Sequence, residues 1–186
     1  IASPDASSSA ADYQGWKAIV AKYQSADVRT SVWQLVNSFG GLLLCWVLMY
    51  WSLNVGYWLT LLLAIPAAGF LVRIFIIQHD CGHGSFFKSR KAADAVGTVC
   101  GVFTFVAYKY WRKQHAIHHA HHAELEERGI GDVWTMTVDE YFAAPWWKRV
   151  AYRVFRNPLF LFGVAPAINY LVLERFPIAA QPEWHN

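Results

Sequence analysis

Between Ser31 and Val72 the chain contains no Asp, Glu, Lys, Arg or His. So long an uncharged stretch excludes a water-facing surface, and it leaves room for two membrane crossings of about 20 residues each. Charge is scarce throughout: 16% of residues are charged, where a soluble domain carries about 25%. Cysteine is scarce as well. Cys45, Cys81 and Cys100 form no CxxC pair and Cys45 falls mid-span, which argues against a disulfide framework. The chain opens on Ile with no basic stretch ahead of an apolar core, so no secretory signal is visible and a trimmed or partial chain is expected. The zinc-protease motif HExxH is missing. His122-Ala-Glu124 matches half of a deaminase signature, but no PCxxC follows it. The net charge of +3 is small, and the basic residues sit beside apolar segments. They read as topology signals and lipid-headgroup contacts, with no nucleic-acid surface expected.

What is present is apolar and aromatic: 55% hydrophobic residues, with ten tryptophans and nine tyrosines suited to interfacial belts. Asn54-Val55-Gly56 is a turn signal that divides the uncharged run into Val32–Leu53 and Tyr57–Ile77, each long enough to cross a bilayer. Pro66 is placed to kink the second helix, and Arg73 to snorkel to the interface. The pair predicts a transmembrane hairpin, so Ser31 and Gln78 emerge on the same side. Ala95–Tyr108 is apolar but too short to span and reads as interfacial or re-entrant. Pro158–Leu173 is a marginal third crossing. Ahead of the hairpin, residues 1–11 read as disordered. Tyr13, Trp16, Ile19, Val20 and Tyr23 then recur at helical spacing, as in an amphipathic surface helix or, equally, an ordinary linker. The expected class is all-α: an integral membrane helical bundle, with a tail over 1–30 and a membrane domain over 31–186 that is incomplete at its C-terminus.

Seven of the eight histidines lie between His79 and His122. They form His79-Asp-Cys-Gly-His83 and His115-Ala-Ile-His118-His119-Ala-His121-His122. At about 100° per helical residue, His79 and His83 share one face; His115, His118 and His119 fall within about 100° of arc, and a continuing helix would bring His122 between them. HxxxH and HxxHH together offer five imidazoles. A mononuclear catalytic zinc uses about three protein ligands and an open position, so five argue for two metals. A single HxxxH is weak evidence, because histidines at that spacing are common on surfaces. His121 and His122 also read as solvated neighbours, and His185 is a lone terminal histidine. Asp80 and Asp132 are placed to orient ligand imidazoles, although a helix cap is a comparable role for Asp132. Ligand type leaves Fe, Zn, Cu and Ni all open. Lys88, Arg90 and Lys91 follow the first group, and Lys109, Arg112 and Lys113 precede the second, while the hairpin turn is uncharged. The positive-inside rule therefore places the histidines on the cytoplasmic side.

Three stretches carry a resemblance: His79-Asp-Cys-Gly-His83-Gly-Ser-Phe-Phe87, Tyr110-Trp-Arg-Lys-Gln-His115-Ala-Ile-His118-His119, and Gly129-Ile-Gly-Asp-Val-Trp-Thr-Met-Thr-Val-Asp-Glu-Tyr141. Over about Val32 to Leu173 the chain resembles the membrane-bound fatty acid desaturases, most nearly the bacterial acyl-lipid type. The resemblance implies an oxidoreductase with a di-iron centre that uses O₂ and two electrons to introduce a C=C bond into an acyl chain. It further implies an acyl-lipid substrate in the bilayer, a ferredoxin or cytochrome b5-type electron donor, and residence in the bacterial inner membrane. His79 and His83 match the first histidine box of that family, and His115, His118 and His119 the second. Asp80, His122 and Asp132 would be supporting groups. The family carries a third box, HxxHH, after further membrane crossings. None occurs up to Asn186, so the expectation is an N-terminal portion of such an enzyme, which the missing initiator Met favours, or a homologue that has lost the activity. Two rivals are a histidine-box hydroxylase of alkanes or carotenoids and a non-catalytic membrane metal-binding protein.

Overall fold

The computed structural model describes residues 19–21, 25–121, 124–128 and 132–175. Residues 1–18, most of the expected amphipathic segment, His122, Gly129–Gly131 and His185 lie outside the described residues. Among the described residues every regular element is helical. The chain divides into two compact units, one up to Val96 and one from Gly97 onward.

The first unit is built on the hairpin. Helix α1 spans Val28–Ser52 and α2 spans Tyr57–His83. Both are long and apolar enough to cross a membrane. The expected spans are therefore correct in place but short at their outer ends. Asp27 caps α1, accepting from the backbone N–H groups of Arg29 at 3.1 Å and Thr30 at 3.3 Å. The Thr30 hydroxyl and these two N–H groups hold the Asp27 carboxyl below its usual value. Between the helices, the N–H groups of Val55 and Gly56 both donate to the Ser52 carbonyl at 2.9 Å. The Ser52 and Thr60 hydroxyls meet across the turn at 2.7 Å.

The seam of the hairpin is rich in small side chains, with Leu42 and Ile74 buried among them. Ser31, Ser38, Cys45 and Ser52 recur every seventh residue of α1 and are all buried; Ala67, Ile74 and Cys81 do the same on α2. A seven-residue period keeps one stripe facing a partner helix, and small residues let membrane helices approach closely. Gly41 shows how closely: a Cβ there would lie 2.3 Å from the Phe70 ring. The large residues point outward, with Trp33, Leu44, Trp51, Trp58 and Ile65 all about 60% exposed or more (64, 59, 62, 61 and 69%). That is the pattern of lipid-facing surface. Pro66 lies within α2 without ending it. Arg73, expected to snorkel, donates from Nε to the buried Ser38 hydroxyl at 3.3 Å.

Helix α3 spans Arg90–Thr104 and runs from the first unit into the second. The expected apolar segment Ala95–Tyr108 is therefore not one element. It breaks after Thr104, where Phe105 takes a left-handed φ of 60° and Val106 N–H returns to the Gly101 carbonyl at 2.9 Å. Helix α4, Tyr108–Ala120, follows. After a 3₁₀ turn at Leu125–Glu127 come α5, Val138–Ala143, and α6, Trp146–Phe155. A π-helical turn, Phe160–Val164, leads into α7, Ala165–Leu171. Phe160–Leu171 is apolar but shorter than a span, so the expected full crossing at Pro158–Leu173 is not found among the described residues.

Candidate metal centre

The first histidine group sits on the last turns of α2, which continues six residues past Ile77 to His83. The ring nitrogens Nε2 of His79 and His83 face each other at 3.3 Å, with ring centroids 4.5 Å apart. Asp80 Oδ1 lies 3.3 Å from His79 Nδ1. Donation from Nδ1 leaves the lone pair on Nε2, the nitrogen turned toward His83. The helix then stops on Gly84, whose φ of 73° suits only a residue without Cβ strain. Two contacts fix this end. Arg90 donates from Nη1 and Nη2 to the Gly82 carbonyl at 3.2 Å, and the buried Ser31 hydroxyl donates to the Phe86 carbonyl at 2.6 Å.

The second group lies on α4. His115 and His119 face each other through Nε2 at 3.1 Å, with rings at 90° and centroids 4.5 Å apart. His115 stacks on the buried indole of Trp111, with centroids 4.6 Å apart and planes within 15°. The sequence reading missed Trp111 as a positioning residue, although its spacing of four from His115 was the available signal. His118 Nδ1 meets Asp132 Oδ1 at 3.0 Å, so Nε2 carries the lone pair there as well. α4 ends at Ala120, with His121 as its cap. His121 Nδ1 lies 3.3 Å from the Glu124 carboxylate.

Asp132 is held by an aromatic and capped arm. Trp134 packs against Tyr152 at 5.3 Å and Phe155 at 5.7 Å, and Met136 N–H donates to the Tyr152 hydroxyl at 3.4 Å. Thr137, not Asp132, caps the next helix. It forms a capping box in which Glu140 N–H donates to Oγ1 at 3.2 Å and Thr137 N–H donates to Glu140 Oε2 at 2.8 Å. The other Glu140 oxygen pairs with Arg128. The Thr137 N–H and the Arg128 guanidinium hold the Glu140 carboxyl below its usual value. Asp132, Arg128, Glu140 and Lys148 also line an open cavity of about 660 Å³.

Two Nε2 lone pairs facing at 3.1–3.3 Å repel unless a proton or a cation lies between them. Two imidazole nitrogens bound cis to one metal at about 2.1 Å stand about 3.0–3.4 Å apart, for angles between octahedral and tetrahedral. The spacing within each pair therefore suits shared coordination. Burial pushes the Cys100 thiol on α3 up to about 12.

A sequence profile of the family "Fatty acid desaturase" matches residues 56–185. The chain is 45% identical over 157 residues to a fatty acid desaturase of Bacillus subtilis (strain 168), covering 84% of this chain and 45% of that protein. It is 34% identical over 93 residues to the sn-1 oleoyl-lipid 12-desaturase of Synechocystis, covering 50% of this chain and 26% of the relative. An omega-3 fatty acid desaturase of Caenorhabditis elegans matches at 31% over 137 residues, or 72% of this chain and 33% of the relative. The chain thus spans less than half the length of each of these relatives. No solved structure matches it. On the family profile, the relatives, the membrane-length hairpin and the two histidine groups, the chain belongs to the fatty acid desaturase family.

Proposed function

We propose that this chain supplies the membrane hairpin and two of the three histidine boxes of an acyl-lipid desaturase. The reaction takes O₂, two electrons and two protons, converts –CH₂–CH₂– in an acyl chain to –CH=CH–, and releases two waters. The proposed ligands are His79, His83, His115, His118 and His119, with the family's third HxxHH group completing the set. His79 and His83 pair through Nε2 in the first unit, and His115 and His119 do so in the second. Two iron ions held by these imidazoles would supply the O₂ activation that an unactivated C–H bond demands. The residues of this chain bind and orient. Asp80 and Asp132 keep the Nδ1 protons of His79 and His118 in place and the lone pairs on Nε2. Trp111 fixes the plane of His115. His122 is assigned a supporting role from its place in the sequence.

The observation that carries this reading is the facing of Nε2 atoms within each histidine pair, one pair on the end of a membrane-length helix. That location suits a substrate whose acyl chain reaches the site from the bilayer. The uncharged turn and the basic residues around both groups support a cytoplasmic site in a bacterial inner membrane, where a ferredoxin or cytochrome b5-type carrier would deliver electrons. The test is expression of the full-length protein in a membrane host, with analysis of iron content and acyl products. Unsaturated product that disappears, together with the iron, in His118→Ala and His119→Ala is expected. An alcohol product, or unsaturation retained in those variants, would overturn the assignment.

A further inference from the structure

Helix α6, Trp146-Trp-Lys-Arg-Val-Ala-Tyr-Arg-Val-Phe155, is apolar on two opposite sides. Tyr152 and Phe155 face the Asp132 arm and pack on Trp134. At about 100° per residue, Trp146, Trp147, Val150 and Val154 fall within about 100° of arc on the other side. That second face is exposed: Trp146 71%, Trp147 59%, Val150 49% and Val154 52%. Arg149, Arg153 and Arg156 flank it along one edge. Between Glu140 and Glu174 the chain contains no acidic residue, so nothing of opposite sign interrupts the basic edge. Indoles beside arginines, with aliphatic residues between them, match a headgroup–acyl boundary better than a water-facing surface. The exposed apolar surface continues past the helix through Leu159 (84%) and Phe162 (79%).

We propose that α6 lies in the plane of an anionic bilayer surface. Trp146, Trp147, Val150 and Val154 sit at the boundary between headgroups and acyl chains, and Arg149 and Arg156 contact lipid phosphates. Arg153 joins that edge while its Nε donates to the Tyr141 hydroxyl. Because the opposite face of α6 packs on Trp134, the bilayer becomes the support against which the Asp132 arm, and through it His118, is held. This goes beyond the metal assignment and does not depend on it.

The test uses the full-length protein in vesicles, with nitroxide labels at Val150→Cys and, as a water-facing control, Glu126→Cys. In vesicles with about a third anionic phospholipid, the Val150 label is expected to collide several-fold more with oxygen than with a soluble nickel chelate, and the Glu126 label to show the reverse. Arg149→Gln combined with Arg156→Gln should return much of the nickel accessibility, and zwitterionic vesicles should do the same. Brominated lipid should quench wild-type emission more than that of Trp147→Phe, which checks the seat without a label. A Val150 label as accessible to nickel as the Glu126 control would overturn the proposal. So would protection that ignores lipid charge, or protection that appears only when an acidic electron-carrier protein is added. Since none of these readouts needs iron or turnover, failure here would leave the desaturase reading intact.

Discussion

The two histidine groups solve the same positioning problem with opposite means. His79 and His83 ride on a 27-residue helix, and the carboxylate on His79 comes from the adjacent residue, Asp80. Support for that helix is local and generic: a seam of small residues, a left-handed glycine stop and one arginine on the Gly82 carbonyl. His115, His118 and His119 ride on a 13-residue helix, near the length at which isolated helices are marginal. That helix leans on buried Tyr108 and Trp111, and on an arm that returns Asp132 to His118. A long apolar helix positions its histidines by its own geometry, whereas a short one must recruit distant residues.

The strongest way to break this contrast is to alter the two carboxylates. Asp132→Asn in the full-length protein should lower iron affinity about 10- to 100-fold, as loss of a partner that orients a ligand histidine typically does. Asp80→Asn should cost only a small part of that, because the α2 backbone already sets the direction of His79. Titration of iron into membranes of each variant, alongside product analysis, makes the comparison. Equal losses would end it.

A smaller effect separates the two packing sites. A Cβ on Gly97 would lie 2.4 Å from the ring of Tyr108, which is 3% exposed and has nowhere to move. Gly97→Ala should therefore destabilise by about 1–3 kcal/mol. Gly41→Ala meets the Phe70 ring just as closely, but Phe70 is only half-buried and can swing toward lipid. Its cost should stay under about 1 kcal/mol. Thermal unfolding in one detergent, with iron release as a second probe, orders the pair.

Least in size is the cap of the arm. Thr137→Ala should cost about 1 kcal/mol through loss of the N-cap. The Glu140 carboxyl is held below its ordinary value, so its contribution is present above the ordinary carboxylate range and is lost as pH falls through the lowered value. Glu140→Gln, which removes the titrating carboxyl, should flatten that acid-side dependence, read as the unfolding midpoint against pH. A variant as acid-sensitive as the parent would show that Glu140 is not its source.

The same contrast explains what could be read from the sequence. The hairpin was legible because 42 consecutive uncharged residues, Ser31 to Val72, leave few alternatives. Its helix ends ran further than hydropathy suggested, since a helix continues through Gln78, His79 and Asp80 once Gly84 provides the stop. The seam escaped notice because Ser31, Ser38, Cys45 and Ser52 share smallness rather than hydrophobicity. Around α4 the histidines were plain, but Trp111 behind His115 and the cap at Thr137 were not. Among the described residues of the stretch Gly129 to Tyr141, Asp132 meets His118, and Trp134, Thr137, Glu140 and Tyr141 pack or bond around it.

The hairpin turn bears on how the protein enters its membrane. The segment that must be carried through the bilayer is short, uncharged and already internally bonded, with Val55 and Gly56 on the Ser52 carbonyl and Ser52 against Thr60. α1 and α2 can therefore insert together as a closed pair, with little polar backbone to strip of water on the way. With the histidine groups on the side of entry, as proposed, insertion would leave the helix end that carries His79 and His83 there without a separate translocation step.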